Sequence, residues 1–154
     1  MADSSVQIRR AVASDADVIA RFNIAMALET EQLQLDPPTV ARGVRRALDD
    51  DAKAIYFVAT IDDLVIGQLM ITHEWSDWRD GDMWWIQSVY VSPEARRQGV
   101  FRALYEHARH AARTAGARVL RLYVEKHNRA AQQTYTSLGM QLTDYLVMEE
   151  PLQE

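Results

Sequence analysis

The sequence predicts an α/β protein built on a mixed β-sheet. Helical and strand-like hydrophobic patterns alternate along its 154 residues, in the order β-α-α-β-β-β-α-β-α-β. Two early strands are separated by a short polar turn, which indicates an antiparallel hairpin. After Trp84 the strands are separated by helices, and strand–helix–strand units within one sheet pair in parallel. We therefore expect one sheet that contains both kinds of pairing, with helices packed on it.

The first half of the chain indicates three strands and two helices. Ser14 stands ahead of Ala16 and Asp17 in a pattern similar to a capping box, and apolar residues follow at helical spacing. Pro37 and Pro38 then break the chain, and a second short helix is expected after them. The expected strands are residues 6–9, 54–59 and 65–72.

The second half indicates further strands alternating with two helices. Residues 75–81 are polar with interleaved aromatic side chains, so we expect a loop there. A helix with an apolar stripe begins near Val100 and ends before Gly116, at a typical C′ position. Asn128 can cap a last helix that runs to Gly139. The expected strands are residues 84–91, 119–124 and 141–148.

The bulk composition excludes several classes of protein. The chain is long enough to bury a substantial core, and we expect a single domain over residues 1–154. No apolar run approaches the roughly 18–20 residues that cross a bilayer, and the first five residues do not resemble a secretory signal. The lack of cysteine removes disulfides and thiolate zinc sites, and the net charge of −5 argues against general nucleic-acid binding. We expect a cytoplasmic protein with no metal, nucleic-acid or membrane partner.

Charge is unevenly distributed along the chain. Residues 60–83 contain six acids and one arginine, a net charge of −5, whereas residues 92–118 contain six arginines and two glutamates, a net charge of +4. The first stretch would attract a cationic ligand and the second an anionic one. Two solvated faces of opposite sign would produce the same counts, so both interpretations stay open.

A glycine stands at the start of the helix that follows the strand at residues 84–91. Residues 92–99 read SPEARRQG, and Gly99 lets successive N–H groups turn toward one anion. The helix N-terminus adds its amides and the positive end of its dipole, and Arg96 and Arg97 add donors suited to phosphate oxygens. Read alone, the motif is explained equally well by an ordinary strand-to-helix turn.

A second motif follows the next strand. Residues 128–140 read NRAAQQTYTSLGM, which alone indicates a capped amphipathic helix with Tyr135 as a core aromatic. Together the two motifs resemble those of the GCN5-related N-acetyltransferase (GNAT) family. That family carries Gln/Arg-x-x-Gly-x-Gly/Ala after its fourth strand, where residues 96–101 read RRQGVF. It carries Asn-x-x-Ala-x-x-x-Tyr-x-x-x-Gly after its fifth strand, and residues 128–139 match every position. The order of elements agrees too, so the resemblance covers essentially the whole chain.

The resemblance implies a GNAT-type acyl-CoA N-acyltransferase fold of about six to seven strands and about four helices, with acetyl-CoA as co-substrate. In that family a neutral amine attacks the thioester directly. The pantetheine arm is expected on the backbone of residues 89–91 and the pyrophosphate on the amides of residues 97–102. Tyr135 would protonate the leaving thiolate, since a phenol pKa of about 10 is near that of the thiolate. The expected cofactor-binding residues are Val89, Tyr90, Val91, Arg96, Arg97, Gln98, Gly99, Val100, Phe101, Arg102, Asn128 and Tyr135. Phe101 departs from the family's Gly or Ala, and its ring must point away from the phosphates.

The general base is not evident from the motifs. Many relatives place a glutamate on the fourth strand, but residues 84–90 contain no acid. Glu29, Glu31 and Glu74 are candidates elsewhere, and we favour Glu29 and Glu74 because their elements commonly border the acceptor site in the resembling fold. His73 is a further candidate. A solvated or structural role is the alternative for each.

The acceptor is expected to be a positively charged amine, of a small molecule or of a lysine-type side chain, because residues 60–83 are acidic. Trp75, Trp78, Trp84 and Trp85 would supply a cation–π wall, or in at least two cases core or dimer contacts. A homodimer is a candidate assembly because relatives often form one, and the sequence leaves the oligomeric state open. Two other functions stay open: a catalytically silent acyl-CoA-binding regulatory module, and a nucleotide-binding or scaffold protein that shares only the α/β order.

Overall fold

The structure, a computed structural model, describes residues 5–153. Residues 1–4, part of the segment in which we found no secretory signal, and residue 154 lie outside this range. Short 3-10 turns precede α1 and α3. The helices and strands in the described range are β1 Gln7–Arg10, α1 Ala16–Glu31, α2 Pro37–Asp49, β2 Ile55–Ile61, β3 Leu64–Ser76, β4 Gly81–Val91, α3 Val100–Thr114, β5 Val119–Leu122 and α4 Arg129–Ser137.

The chain divides into two compact units, one ending at Leu122 and the other beginning at Tyr123. The first unit contains the five strands with α1, α2 and α3, and the second contains α4. The single domain expected over residues 1–154 stays a prediction. In the described part of the chain, no helix has both the length and the apolar character needed to cross a membrane. The cytoplasmic location also stays a prediction.

One sheet forms the centre of the first unit, with the strand order β1-β2-β3-β4-β5. Neighbours from β1 to β4 pair antiparallel, whereas β4 and β5 pair in parallel. The predicted mixed sheet, the β2–β3 hairpin and the parallel pairing after Trp84 are therefore confirmed. Asp62 and Asp63 form the hairpin turn with φ of 48° and 64°, as a two-residue type I′ turn requires.

Helices cover both faces of this sheet. On one, which we call the helix-1 face, Ile19 of α1 packs into a buried cluster with Tyr56 and Val58 of β2. On the opposite, helix-3 face, a Cβ added to Gly67 of β3 would lie 3.2 Å from Cγ1 of Val100. Glycine at this position lets α3 approach the sheet closely. That close packing places the start of α3 beside the middle of the sheet.

The β3–β4 hairpin is longer than the sequence predicted. We expected a loop over residues 75–81, but β3 continues to Ser76 and β4 begins at Gly81. Trp75 pairs with Asp82 in the ladder between them. Backbone pairing between the two strands therefore overrides a composition that is polar and acidic.

Two helices begin differently from the prediction. α1 starts after Asp15, not at Ser14, and the Asp15 carboxylate accepts two hydrogen bonds from the Arg9 guanidinium, at 2.8 and 2.9 Å. α2 starts at Pro37, so the proline pair begins a helix where we expected only a break. Proline suits the first helical position because its missing N–H would have no partner there, and Asp36 caps the helix.

The last predicted strand is absent from the described residues, and the sheet has five strands where six to seven were expected. Residues 141–148 have the alternating pattern of a strand but pair with no other segment in the described range. Their large apolar side chains are 64–95% exposed: Leu142, Tyr145, Leu146, Val147 and Met148. Alternation supplies a suitable face, but a strand also needs backbone pairing with a neighbour, which these residues lack in the described range.

Candidate functional site

The turn before α3, residues 97–99, has the backbone of an anion site, and we call it the anion turn. Arg97 and Gly99 both have positive φ, 64° and 78°, and Gly99 is the N-cap of α3. The first hydrogen bond of the helix runs from Ala103 N to Gly99 O at 3.0 Å. Helix geometry therefore directs the N–H groups of residues 100–102 out of the N-terminal end. Left-handed residues just before a helix start form a concave set of amides that favours an anion.

The Phe101 ring, the departure from the family pattern, packs along the helix. Its centroid lies 6.1 Å from that of Tyr105, one turn further on. A side chain held there leaves the backbone at the helix start accessible, so the substitution is compatible with an anion at the turn.

β4 is irregular where it passes Ser88. Its register with β3 shifts between Gln68 and Met70, and Ser88 has a φ of 49°, which marks a bulge. Gln68 is fully buried, and its Nε2 donates to the Ser88 carbonyl at 3.1 Å and to Oδ1 of Asn23 on α1 at 2.7 Å. The sequence analysis missed Gln68 and the bulge. The signal was a single amide inside the apolar run of residues 65–71.

Beyond the bulge, part of the β4 backbone faces an edge that β5 does not cover. Ser92 donates its N–H to the Ile66 carbonyl at 2.8 Å, on the β3 side. Because peptide groups alternate along a strand, those of Val91 point to the opposite edge. Pairing on that edge ends at Ile86 and Leu122. The edge is where the sequence places the pantetheine arm.

Three side chains converge beside this edge. The Glu29 carboxylate, near the end of α1, accepts a hydrogen bond from the Tyr90 hydroxyl at 3.0 Å and one from Nη2 of Arg96 at 2.8 Å. Arg96 also donates Nε to the Val91 carbonyl at 2.9 Å, and its guanidinium lies 5.4 Å from the Tyr90 ring centroid. Phe22 packs on Tyr90 from α1, with ring centroids 5.0 Å apart. The sequence analysis named Glu29, Tyr90 and Arg96 as separate candidates, and the fold brings them together.

These contacts determine the protonation of Glu29. The hydrogen bond from Arg96, followed by that from Tyr90, lowers the pKa of the Glu29 carboxyl. Burial and the neighbouring carboxylate raise the pKa of the Tyr90 phenol. Because each Glu29 oxygen already accepts a hydrogen bond, the geometry favours an ionised group that holds its neighbours over one that takes up a proton.

A polar patch lies on the helix-1 face, near the edge of β4 that β5 does not cover. Oε2 of Glu74 is 3.7 Å from Nη1 of Arg121, whose guanidinium lies 5.8 Å from the Trp85 ring centroid. Gln87 donates Nε2 to the Thr72 hydroxyl at 2.6 Å. Strand register places these five side chains on one face, and we call them the strand patch. Of the five, the sequence analysis singled out Glu74 and Trp85; residue alternation along β3, β4 and β5 could have identified the others.

His73 and the remaining tryptophans do not join this patch. His73 lies on the helix-3 face, with its ring centroid 5.3 Å from that of buried Trp84. Trp75 and Trp78 are 62% and 88% exposed near the hairpin end. Trp84 and Trp85 are adjacent in β4, so they point to opposite faces. The expected wall of four tryptophans is therefore wrong, although Trp84 is a core residue as one alternative proposed.

The second unit contains the other predicted motif. The Asn128 side chain accepts from Ala131 N at 3.1 Å and caps α4. Gly139 has a φ of 103°, and the hydrogen bonds from Gly139 N and Met140 N back into the last turn form a Schellman motif. Burial raises the pKa of the Tyr135 phenol on α4, so the group stays protonated at neutral pH. The predicted cap and helix end are confirmed.

Within residues 5–153, no group of three or more His, Asp or Glu side chains is arranged to hold a metal ion. The expectation that no metal takes part stays a prediction.

Known proteins resemble the chain over nearly all of its length. The model of the acetyltransferase (GNAT) family matches residues 22–140. A "possible acetyltransferase" from Clostridium difficile 630 is 43% identical, with a TM-score of 0.91 over 97% of this chain and 99% of that chain. A "probable acetyltransferase" is 22% identical (TM-score 0.84, 96% and 99% of the chains), and a transcriptional regulator from Bacillus halodurans C-125 is 20% identical (TM-score 0.81, 95% and 99%). The last two show the fold alone. Among curated proteins, none matches the sequence.

Proposed function

The chain belongs to the acetyltransferase (GNAT) family and is an N-acetyltransferase, and we propose that it transfers the acetyl group of acetyl-CoA to a primary amine. The sequence resemblance to that family is thus confirmed. The observation that carries the proposal is the anion turn before α3 beside an edge of β4 that β5 does not cover. A nucleotide with a pyrophosphate and a long amide-bearing arm matches this pair of features.

The residues of the turn fit a pyrophosphate. An added Cβ at Gly99 would meet nothing within 4 Å, so the space beside the turn is open. The amides of residues 97–102 would bind the phosphates, and exposed Arg97 and Arg102 would add charge-assisted donors. Val89 and Val91 would hold the pantetheine amides through their backbone, as a short strand pairing with β4. We also assign a cofactor contact to Asn128.

Two residues would handle the protons. We assign the general base to Glu74, because it lies in the strand patch and is about half exposed. It would take a proton from the ammonium form of the acceptor, so that the neutral amine can attack the thioester carbonyl. We assign the general acid to Tyr135, which would donate its proton to the sulfur as the C–S bond breaks. The phenol is protonated at neutral pH, so it carries the proton that this step requires.

The acceptor would bind over the strand patch as a cation. The carboxylate of Glu74 and the face of Trp85 both attract an ammonium group, which would take the place of the Arg121 guanidinium that now lies beside them, and Gln87 and Thr72 offer hydrogen-bonding groups. The excess of acids over residues 60–83 favours the approach of such a substrate. A polyamine, an amino acid, an aminoglycoside or a lysine side chain has this chemistry. The homodimer stays a prediction.

Release of free thiol from acetyl-CoA, measured with a panel of amines, tests the function. Turnover with at least one cationic amine is expected. Tight coenzyme A binding with no turnover on any amine would instead favour the silent acyl-CoA-binding module. Thermal stabilisation by a nucleotide such as ATP but not by acetyl-CoA would contradict the proposed cofactor.

A further inference from the structure

We propose that contacts from α1 restrain the cofactor-binding edge of β4, and that Glu29 on α1 is a positioning residue for the anion turn. This inference rests on the proposed function, since it concerns how the coenzyme A site is held in shape. Glu29 would act through Arg96 and Tyr90 and would not exchange a proton with the substrate.

The geometry connects Glu29 to the residue just before the anion turn. Arg96 directly precedes Arg97, whose left-handed backbone begins the anion turn. The Arg96 side chain is held at two points, by Glu29 Oε2 at 2.8 Å and by the Val91 carbonyl at 2.9 Å. The backbone of Arg96 leads directly into the anion turn. Restraining the Arg96 side chain therefore reduces the number of conformations that the turn can adopt before it binds a ligand. Binding then costs less ordering entropy.

A second contact from the same helix supports β4 upstream. Asn23 accepts a hydrogen bond from Gln68 at 2.7 Å, and Gln68 donates to the carbonyl of bulge residue Ser88. Asn23 and Glu29 are six positions apart, which is about 9 Å along a helix. α1 therefore reaches β4 at two places: indirectly at the bulge, through Asn23 and Gln68 of β3, and directly at the strand end, through Glu29. These two places border the segment where the pantetheine arm is assigned.

The solvent exposure of the Glu29–Arg96 ion pair distinguishes a positioning role from a contribution to global stability. The Glu29 and Arg96 side chains are 41% and 44% exposed, and ion pairs with that exposure contribute little to global stability. Breaking the pair should therefore leave the fold intact while loosening the turn. A general base would behave differently, because its removal lowers the rate with both substrates saturating.

The test compares Glu29→Ala and Glu29→Gln with Asp17→Asn. Asp17 is on the same helix and is also in an exposed ion pair, with Arg45 at 3.7 Å, so its variant controls for loss of charge. We expect Glu29→Ala to raise the coenzyme A Kd and the acetyl-CoA KM about 10-fold, a usual size for coupling between sites. Turnover at saturation and the acid limb of its pH profile should stay within twofold of wild type. Glu29→Gln, whose amide oxygen still accepts, should show a smaller rise, and Asp17→Asn none.

A double-variant cycle with Arg96→Ala completes the experiment. If Glu29 acts through Arg96, adding Glu29→Ala to Arg96→Ala should weaken coenzyme A binding by less than twofold further. An unchanged Kd in Glu29→Ala would overturn the positioning role. A fall in turnover of about 100-fold or more with loss of the acid limb would instead make Glu29 the base. Failure of the wild-type protein to bind coenzyme A would contradict the proposed function itself, which the wild-type titration shows separately.

Discussion

Replacement of Gly99 tests the anion turn most directly, because the structure separates the effects of backbone, bulk and charge. Gly99 has a φ of 78°, and for any other residue this left-handed backbone costs about 1–2 kcal/mol of conformational free energy. An added Cβ meets nothing within 4 Å, so bulk adds little at the first carbon. Gly99→Ala should therefore fold with a slightly lower Tm. Gly99→Glu shares that backbone cost and adds a negative charge beside the proposed phosphate site.

The difference between the two variants isolates the charge. A carboxylate about 6 Å from one phosphate charge costs roughly 0.7–2.8 kcal/mol at an effective dielectric of about 80 down to 20. Coenzyme A should therefore bind to Gly99→Glu about 3- to 100-fold more weakly than to Gly99→Ala. Salt screens exposed charges, and the Debye length falls from about 14 Å at 50 mM NaCl to about 4 Å at 500 mM. The difference in coenzyme A affinity between the two variants should therefore be smaller at the higher salt concentration.

Isothermal titration of coenzyme A into each variant at the two salt concentrations measures this difference. Circular dichroism of both variants is the control for folding. Equal dissociation constants for Gly99→Ala and Gly99→Glu would refute the reasoning, since the phosphates would then bind away from this turn.

Three further predictions concern single side chains. Tyr135→Phe should lower kcat by about 10²-fold or more while the coenzyme A Kd stays within twofold, because it removes only the proton given to sulfur; unchanged turnover would remove Tyr135 from the acid role. Glu74→Gln should lower kcat/KM for the acceptor amine, with partial recovery at high pH where the amine is already neutral, and a loss that does not depend on pH would argue against a base. Asp15→Asn should lower the free energy of unfolding by about 1–3 kcal/mol near pH 7, because it weakens the charge-assisted hydrogen bonds that the buried Asp15 carboxylate accepts from the more exposed Arg9 guanidinium. The hydrogen bond from Arg9 lowers the pKa of Asp15, so this stabilisation is full above the unfolded value of about 3.9 and is lost as pH falls through the folded pKa. Urea unfolding of both proteins from pH 7 to pH 3 should show the gap closing below about pH 4, and a constant gap would mean that ionisation of Asp15 is not the cause.

Local patterns were sufficient for most of the fold. Apolar periodicity and turn residues depend on neighbours a few positions away, so the order of elements, the turn at Asp62 and Asp63 and the cap at Asn128 were predicted correctly. Periodicity failed where the outcome depends on a distant partner. Within residues 75–81, Trp75, Ser76 and Gly81 joined the strands by pairing across the hairpin and residues 77–80 kept the expected turn, whereas residues 141–148 formed no ladder in the described range.

The sequence by itself determined the family, because the turn at residues 96–101 and the capped helix at residues 128–139 occur together in the family's order of elements. The turn alone supplied a glycine, two arginines and a helix start, which an ordinary strand-to-helix turn also has. The sequence also supplied Glu29, Tyr90 and Arg96, but as unrelated candidates on three elements. Only the tertiary structure placed them within hydrogen-bonding distance and placed Gln68 at the bulge of β4. The physical reason is that the positions of these side chains depend on how α1 crosses the sheet, which depends on packing among residues far apart in the chain.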